Sequence, residues 1–165
     1  KFKTLFFVKS SLISLYLALT IPIPFISIDK LKIFSIFLFV LGLFSIINIT
    51  SDYVETSNDK ISYKTSLISK TLGRKNWEIP WKDIKLIKTL PTSQGSNVYY
   101  FNTYKGDNFL IPQRLENFEG FISVIYRNTK INVDEISYIS PLWTYKLLTF
   151  LSVLMISFEL FAYLG

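Results

Sequence analysis

The sequence predicts an α+β membrane protein. An N-terminal transmembrane helical hairpin is followed by a small antiparallel β domain capped by one helix, and then by a C-terminal transmembrane helix. Three observations predict this. Two uncharged apolar runs, Ser10–Ile28 and Ile33–Ile49, succeed each other early, and a third, Leu147–Leu164, is broken only by Glu159. Between them the chain turns polar and its apolar residues alternate with period two, as in half-buried strands. Finally, 50% of the 165 residues are hydrophobic while 18% are charged, which calls for segregation into apolar spans and a polar domain. The expected division is 1–50 for the hairpin, 51–139 for the β domain with its closing helix, and 140–165 for the last helix.

Each apolar run is near the roughly 20 residues that cross a bilayer at about 1.5 Å rise per residue. Leu5–Val8 extends the first run, with Lys9 able to snorkel, and Pro22 and Pro24 end or kink it. Asp29, Lys30 and Lys32 form the link. Neither run has a polar face, so buried helices of a soluble protein are the weaker reading. The basic, apolar opening has the texture of a signal peptide, but no small-x-small cleavage site follows and a second run comes directly after; a retained anchor is expected. The chain opens on Lys rather than Met, leaving the true start open. Before the third run, Ser140 is a candidate N-cap, Pro141 a first-turn residue, and Trp143, Tyr145 and Lys146 an interfacial belt. A helix lying along the surface is the alternative there. Lys1, Lys3 and Lys9 favour a cytoplasmic N-terminus, which puts the β domain in the cytoplasm and the C-terminus outside.

In the polar middle, Asp52–Ser57 reads as a strand and "SNDK" as a turn. "ISYKTSLIS" reads as a second strand, with Ile61, Tyr63 and Leu67 on one face, and "TLGR" as the next turn. Trp77, Ile79 and Trp81 then share odd parity, whereas Ile84, Leu86 and Leu90 are even. Side chains alternate faces strictly, so "PWKD" is a corner, bulge or tight turn between two strands, and Pro80 suits such a break. After the "PTSQGSN" loop, Asn97–Tyr104 and Asn108–Pro112 form a hairpin across "YKGD". Leu115, Phe118, Phe121, Ile122 and Ile125 recur at helical spacing, making Asn117–Asn128 an amphipathic helix that lies on the sheet. The count is about six strands and one helix.

This order, with "EIPWKDIKLIK" (Glu78–Lys88) as a strand-corner-strand and "FLIPQRLENFEGFISVI" (Phe109–Ile125) as a last strand entering a helix, resembles the bacterial PH-like domain membrane proteins. The resemblance covers roughly Asp52–Lys130. It implies a half-open antiparallel β barrel closed by the helix, and it carries over no catalytic residue. A photosystem I assembly family of cyanobacteria and plastids has a similar hairpin-plus-domain layout, but no motif ties this chain to it and the third run departs from it.

The chain has no Cys and no His. Thiolate nucleophiles, disulfides, Cys/His zinc sites, His general bases and His-ligated haem are therefore excluded. Charge is +6 overall, but Asp52–Glu135 holds 12 basic and 10 acidic residues, too balanced for a nucleic-acid binder. Asp52, Glu55 and Asp59 lack the close spacing of a divalent-metal loop and read as turn and strand-end acids. Asp134 and Glu135 read as linker charges, and the sequon Asn48-Ile49-Thr50 as coincidental at a membrane edge. No cofactor and no metal are expected.

Two kinds of contact residue remain. Glu159, an ionisable group in an apolar span, is a candidate contact with a partner subunit, together with Trp143 and with Tyr99 and Phe101 on an aromatic strand whose two faces cannot both be core. Arg74, Lys75, Lys82, Lys85 and Lys88 are candidate contacts to anionic lipid, although Lys82 and Lys88 differ in parity from Lys85. The expected protein is a non-enzymatic, multi-pass accessory, assembly or scaffolding subunit of a bacterial inner membrane or a related one. Its partners would be the lipid bilayer and other integral membrane subunits. The alternative is an anionic-lipid-binding module at the membrane surface.

Overall fold

The structure is a computed structural model that describes residues 1–164. In chain order it contains β1 (Phe2–Lys3), α1 (Phe6–Thr20), α2 (Pro22–Ile26), α3 (Asp29–Ile49), β2 (Tyr53–Thr56), β3 (Lys60–Lys64) and α4 (Leu67–Thr71). Then come β4 (Trp77–Pro80), a 3-10 turn (Trp81–Asp83), β5 (Ile84–Pro91), β6 (Asn97–Thr103), β7 (Asn108–Leu110), α5 (Phe118–Thr129) and α6 (Leu142–Leu164). These form two compact units. One takes Lys1–Leu5 and Ser51–Ser140, and the other Phe6–Thr50 with Pro141 onward.

The β unit holds two antiparallel sheets, ordered β1-β2-β3-β4 and β5-β6-β7, and neither closes on itself. The fold is thus α+β with helices towards both ends. Its first strand was not expected: Lys1–Leu5 join the β unit instead of extending the first helix. Phe2 pairs with Val54 and Lys3 with Tyr53, and Thr4 bridges to Leu115. The Leu5 and Glu116 amides donate to the carbonyls of Arg114 and Lys3, at 2.8 and 2.9 Å. The physical reason is that Phe2 has a core to enter, meeting Phe121 edge-on at 5.3 Å. Lys1 meanwhile lies 3.7 Å over the Tyr53 ring and 3.6 Å from Glu55.

The corner expected at "PWKD" is the 3-10 turn Trp81–Asp83 between β4 and β5. Ile79 before it, Trp81 at its start and Ile84 after it are all buried. The Trp81 indole N–H donates to the Ser57 carbonyl at 2.9 Å, and its amide to the Asp59 carbonyl at 2.9 Å. A bulge between Ile84 and Leu86 leaves Lys85 as the extra residue. The expected strand through Ser69 stops at Lys64, and Ser66 then caps α4 by accepting from the Ser69 amide. α5 begins one residue later than expected, with Asn117 as its N-cap. Phe118, Phe121 and Ile125 go into a core shared with Val54, Ile61, Ile79 and Phe101.

In the helical unit, α1 runs alongside α6. Lys146 lies 4.9 Å over the Phe7 ring near their starts, and Phe25, beyond α1, stacks on Tyr163 at 5.2 Å. The buried residues of α1 are small ones, Val8, Ser11, Ser14 and Ala18, and Ser152 of α6 is buried too. Small side chains let two backbones approach closely. α1 also meets α3: the Tyr16 hydroxyl donates to the Phe39 carbonyl at 2.8 Å, just beside Gly42. Pro22 opens α2, so the first apolar stretch is broken at Ile21 rather than straight. Three stretches, Phe6–Ile26, Asp29–Ile49 and Leu142–Tyr163, are long and apolar enough to cross a membrane.

Candidate functional site

The most organised polar cluster lies where β2 begins. Asp52 is 4% exposed although ionisable. Its Oδ1 accepts from the Ser66 amide at 2.8 Å. Its Oδ2 accepts from the Tyr63 hydroxyl at 2.9 Å, the Ser69 hydroxyl at 3.1 Å and Arg74 Nη1 at 2.8 Å. Its carbonyl accepts from Thr4 Oγ1 at 3.0 Å. Burial pushes this carboxyl up, but the hydrogen bonds from Ser66, Tyr63, Arg74 and Ser69 outweigh it and hold the group below its ordinary value. Burial first, and then the Asp52 charge and hydrogen bond, push the Tyr63 phenol up to about 12.

Oδ2 takes three donors and Oδ1 one, so this buried carboxylate is held chiefly by contacts within its own chain. The cluster serves as a knot that fixes the β3–β4 excursion, Thr65–Asn76, against the start of β2. The Asn76 side chain closes the excursion by accepting from the Thr65 amide and hydroxyl at 2.8 and 2.7 Å. Among the described residues no three carboxylates come together as a metal-ligand group.

The five candidate lipid-contact cations do not form one patch. Arg74 is half exposed and salt-bridged to Asp52. Lys75 is exposed ahead of β4, while Lys82 is exposed in the turn beyond its far end. A strand rises about 3.3 Å per residue, which separates Lys75 from Lys82 by roughly 15–20 Å. Lys85 stands on the bulge, and Lys88 faces outward opposite Tyr100.

Of the partner-contact candidates, Tyr99 and Phe101 are corrected: both are buried, at 1% and 0% exposure. Ile87 and Phe109 flank Phe101 across the ladder on the core side, and the Tyr99 hydroxyl donates to the Glu135 carbonyl. The strand does have two aromatic faces, but its outward one carries Val98, Tyr100 and Asn102, with Leu86, Lys88, Leu90 and Leu110 beside them. Trp143 is 62% exposed on α6. Glu159 is only partly exposed, and its Oε2 is buried without a hydrogen-bond partner, as is the Tyr145 hydroxyl. Further along α6, Phe150, Val153, Leu154, Ser157, Phe158 and Phe161 line an open apolar hollow.

The short helix α4 stands where a strand is expected. Its Leu67 is 75% exposed and Leu72, which follows it, 65%. The sequence signal for it is Ser66, a capping residue three positions before Ser69, within a segment whose period-two alternation also fits a strand.

Fold and site together define an α+β chain with two open antiparallel sheets, a buried structural carboxylate and three membrane-length helices. The chain is similar to the uncharacterized protein slr0269 of the bacterium Synechocystis sp., being 28% identical over 156 residues that cover 90% of this chain and 77% of that protein. No family model matches the chain, and no solved structure matches it significantly.

Proposed function

We propose that this chain is a multi-pass integral membrane protein and a non-catalytic accessory, assembly or scaffolding subunit of a larger membrane complex. The observation that carries this is the uncovered helical unit. No residue of α3 is buried, and among the described residues of α6 only Ser152 is, while Phe37, Phe158 and Phe161 stand 61%, 67% and 79% exposed. Such surface needs lipid, partner helices or both. Glu159, partly exposed within an apolar span, supports a partner, since an ionisable group there needs a counterpart.

In this reading the polar unit is a PH-like domain at the cytoplasmic face of a bacterial membrane. A division into four and three antiparallel strands, followed by a helix packed on the core, supports the resemblance. The chain enters the helical unit at Phe6, leaves it after Thr50 and re-enters at Pro141. A hairpin between the first two of these points returns the chain to its starting side, which agrees with the topology favoured by the N-terminal lysines. The second reading, a surface module for anionic lipid, rests on separate exposed cations, Lys75, Lys82, Lys85 and Lys88, which do not share one patch.

The test is the native particle size of the tagged full chain after mild solubilisation of its own membranes. Co-migration in a larger particle is expected, with loss of that particle on Glu159→Gln or Ser157→Trp. Migration as a lone monomer would overturn the subunit reading.

A further inference from the structure

We propose that the β3–β4 excursion is a membrane-dipping element. Leu67 and Leu72 enter the interfacial layer of the bilayer, and Lys70 and Lys75 meet anionic lipid headgroups. This rests on the membrane reading proposed above and names the residues through which the polar unit touches lipid.

Three observations carry it. First, the two leucines are far more exposed than the unit's other surface leucines. Leu67 and Leu72 are 75% and 65% exposed, against 48% for Leu110. Leu67 lies across the short helix from Ser69, the face held to Asp52, so the knot that buries Ser69 turns Leu67 outward. Two such leucines within one short excursion give it apolar tips that can enter an interfacial layer.

Second, the segment carries one sign of charge. From Ser66 to Trp77 there are Lys70, Arg74 and Lys75 and no acid. Arg74 is taken up by Asp52 at 2.8 Å, which leaves Lys70 and Lys75 as exposed cations beside exposed leucines. Apolar tips flanked by lysines suit an interface whose headgroups are anionic and whose next layer is hydrocarbon.

Third, the chain itself fixes the address. Asp52 lies three residues beyond Ile49, the last residue of α3, a covalent reach of at most about 10 Å. The Ser66 amide is 2.8 Å from the Asp52 carboxylate, so the cap of α4 is tied to the point where the chain leaves an apolar span. Tethering of this kind raises the effective concentration of a weak contact without further affinity. On the membrane reading, the tether makes a bilayer the occupant that this excursion meets first.

The natural absence of cysteine allows single-site labelling in the full chain. Leu67→Cys, Leu72→Cys, Val40→Cys on α3 and Ser123→Cys on the outer face of α5 would each carry an environment-sensitive fluorophore. The labelled proteins would be reconstituted in phosphatidylcholine vesicles containing phosphatidylglycerol. The expected result is blue-shifted emission, quenched by lipid-borne spin labels, at positions 67, 72 and 40, and aqueous emission at 123. Lys70→Glu with Lys75→Glu should return the 67 and 72 signals towards that of position 123. Aqueous emission at 67 and 72 with a lipid-like signal at 40 overturns the dipping element and leaves the spans standing. An aqueous signal at 40 as well overturns the membrane reading itself. Shielding of 67 and 72 in native membranes but not in vesicles also overturns the proposal, because a protein would then cover the loop.

Discussion

The β unit and the helical unit use the same residue type in opposite ways. Phe101 and Phe121 are fully buried in the first, whereas Phe37 and Phe161 of the second are 61% and 79% exposed. In the β unit, water does the sorting, so burial follows strand parity and helix period. In the helical unit apolar residues surround α3 on all sides, and hydrophobicity carries no information about which face meets which. Specific contact falls instead to small residues and single polar groups: Ser11, Ser14 and Ala18 on α1, Ser152 on α6, and the Tyr16 hydroxyl over Gly42.

That contrast is broken most directly by paired truncations. Phe101→Ala should destabilise the β unit by about 3–5 kcal/mol, read as a lowered thermal midpoint in near-UV circular dichroism of the detergent-solubilised chain. Phe37→Ala should stay within about 0.5 kcal/mol, as a surface change does. Equal effects would mean that α3 is covered by more of the chain than this structure allows.

The next effect belongs to the Asp52 knot. Asp52→Ala leaves the Tyr63, Ser69 and Ser66 donors without their acceptor, at a cost of about 2–3 kcal/mol because Arg74 can still reach water. The pH signs are opposite for the two titrating partners. Asp52 has a depressed folded value, so its contribution is present above the unfolded carboxyl range and disappears as pH falls through the folded value. The Tyr63 value is raised from 10.0 to about 12, so its contribution is present below 10 and lost as pH rises towards 12. Equilibrium unfolding against pH should therefore show two losses in the parent protein. Tyr63→Phe should remove the alkaline one, and an unchanged alkaline limb would refute the role given to Tyr63.

What the sequence made legible follows the same divide. The parity flip from Trp81 to Ile84 located a corner because a buried face cannot change parity without one, and the 3.6-residue spacing of Phe118, Phe121 and Ile125 located α5. Phe2–Lys3 was not legible, because a two-residue strand is defined only by its partner some fifty positions away at Tyr53–Val54. Nor was the knot: Asp52, Tyr63, Ser66, Ser69 and Arg74 meet only after β2, β3 and α4 are in place. In Tyr99-Tyr100-Phe101 the aromatic content announced two faces, but only the register Ile87↔Phe101 decides which one is inside. Between the helices, hydropathy marked lengths and left the pairing of faces blank.

The smallest expected effect tests that blank region most finely. Tyr16→Phe removes one hydroxyl donated to the Phe39 carbonyl at 2.8 Å, and interhelical hydrogen bonds of this kind are worth only about 0.6 kcal/mol on average. Gly42→Ala should cost more, about 1–3 kcal/mol, because a Cβ at position 42 would overlap the Tyr16 hydroxyl and ring. The two changes should not add. Shortening the side chain at position 16 opens the space that the new methyl needs, so Gly42→Ala should cost less in a Tyr16→Phe background and least in Tyr16→Ala, with a coupling of at least about 0.5 kcal/mol. Pulse proteolysis along a denaturing-detergent titration reads these differences. Strict additivity would mean that α1 and α3 do not touch at this point, and that the β unit alone is built from specific contacts.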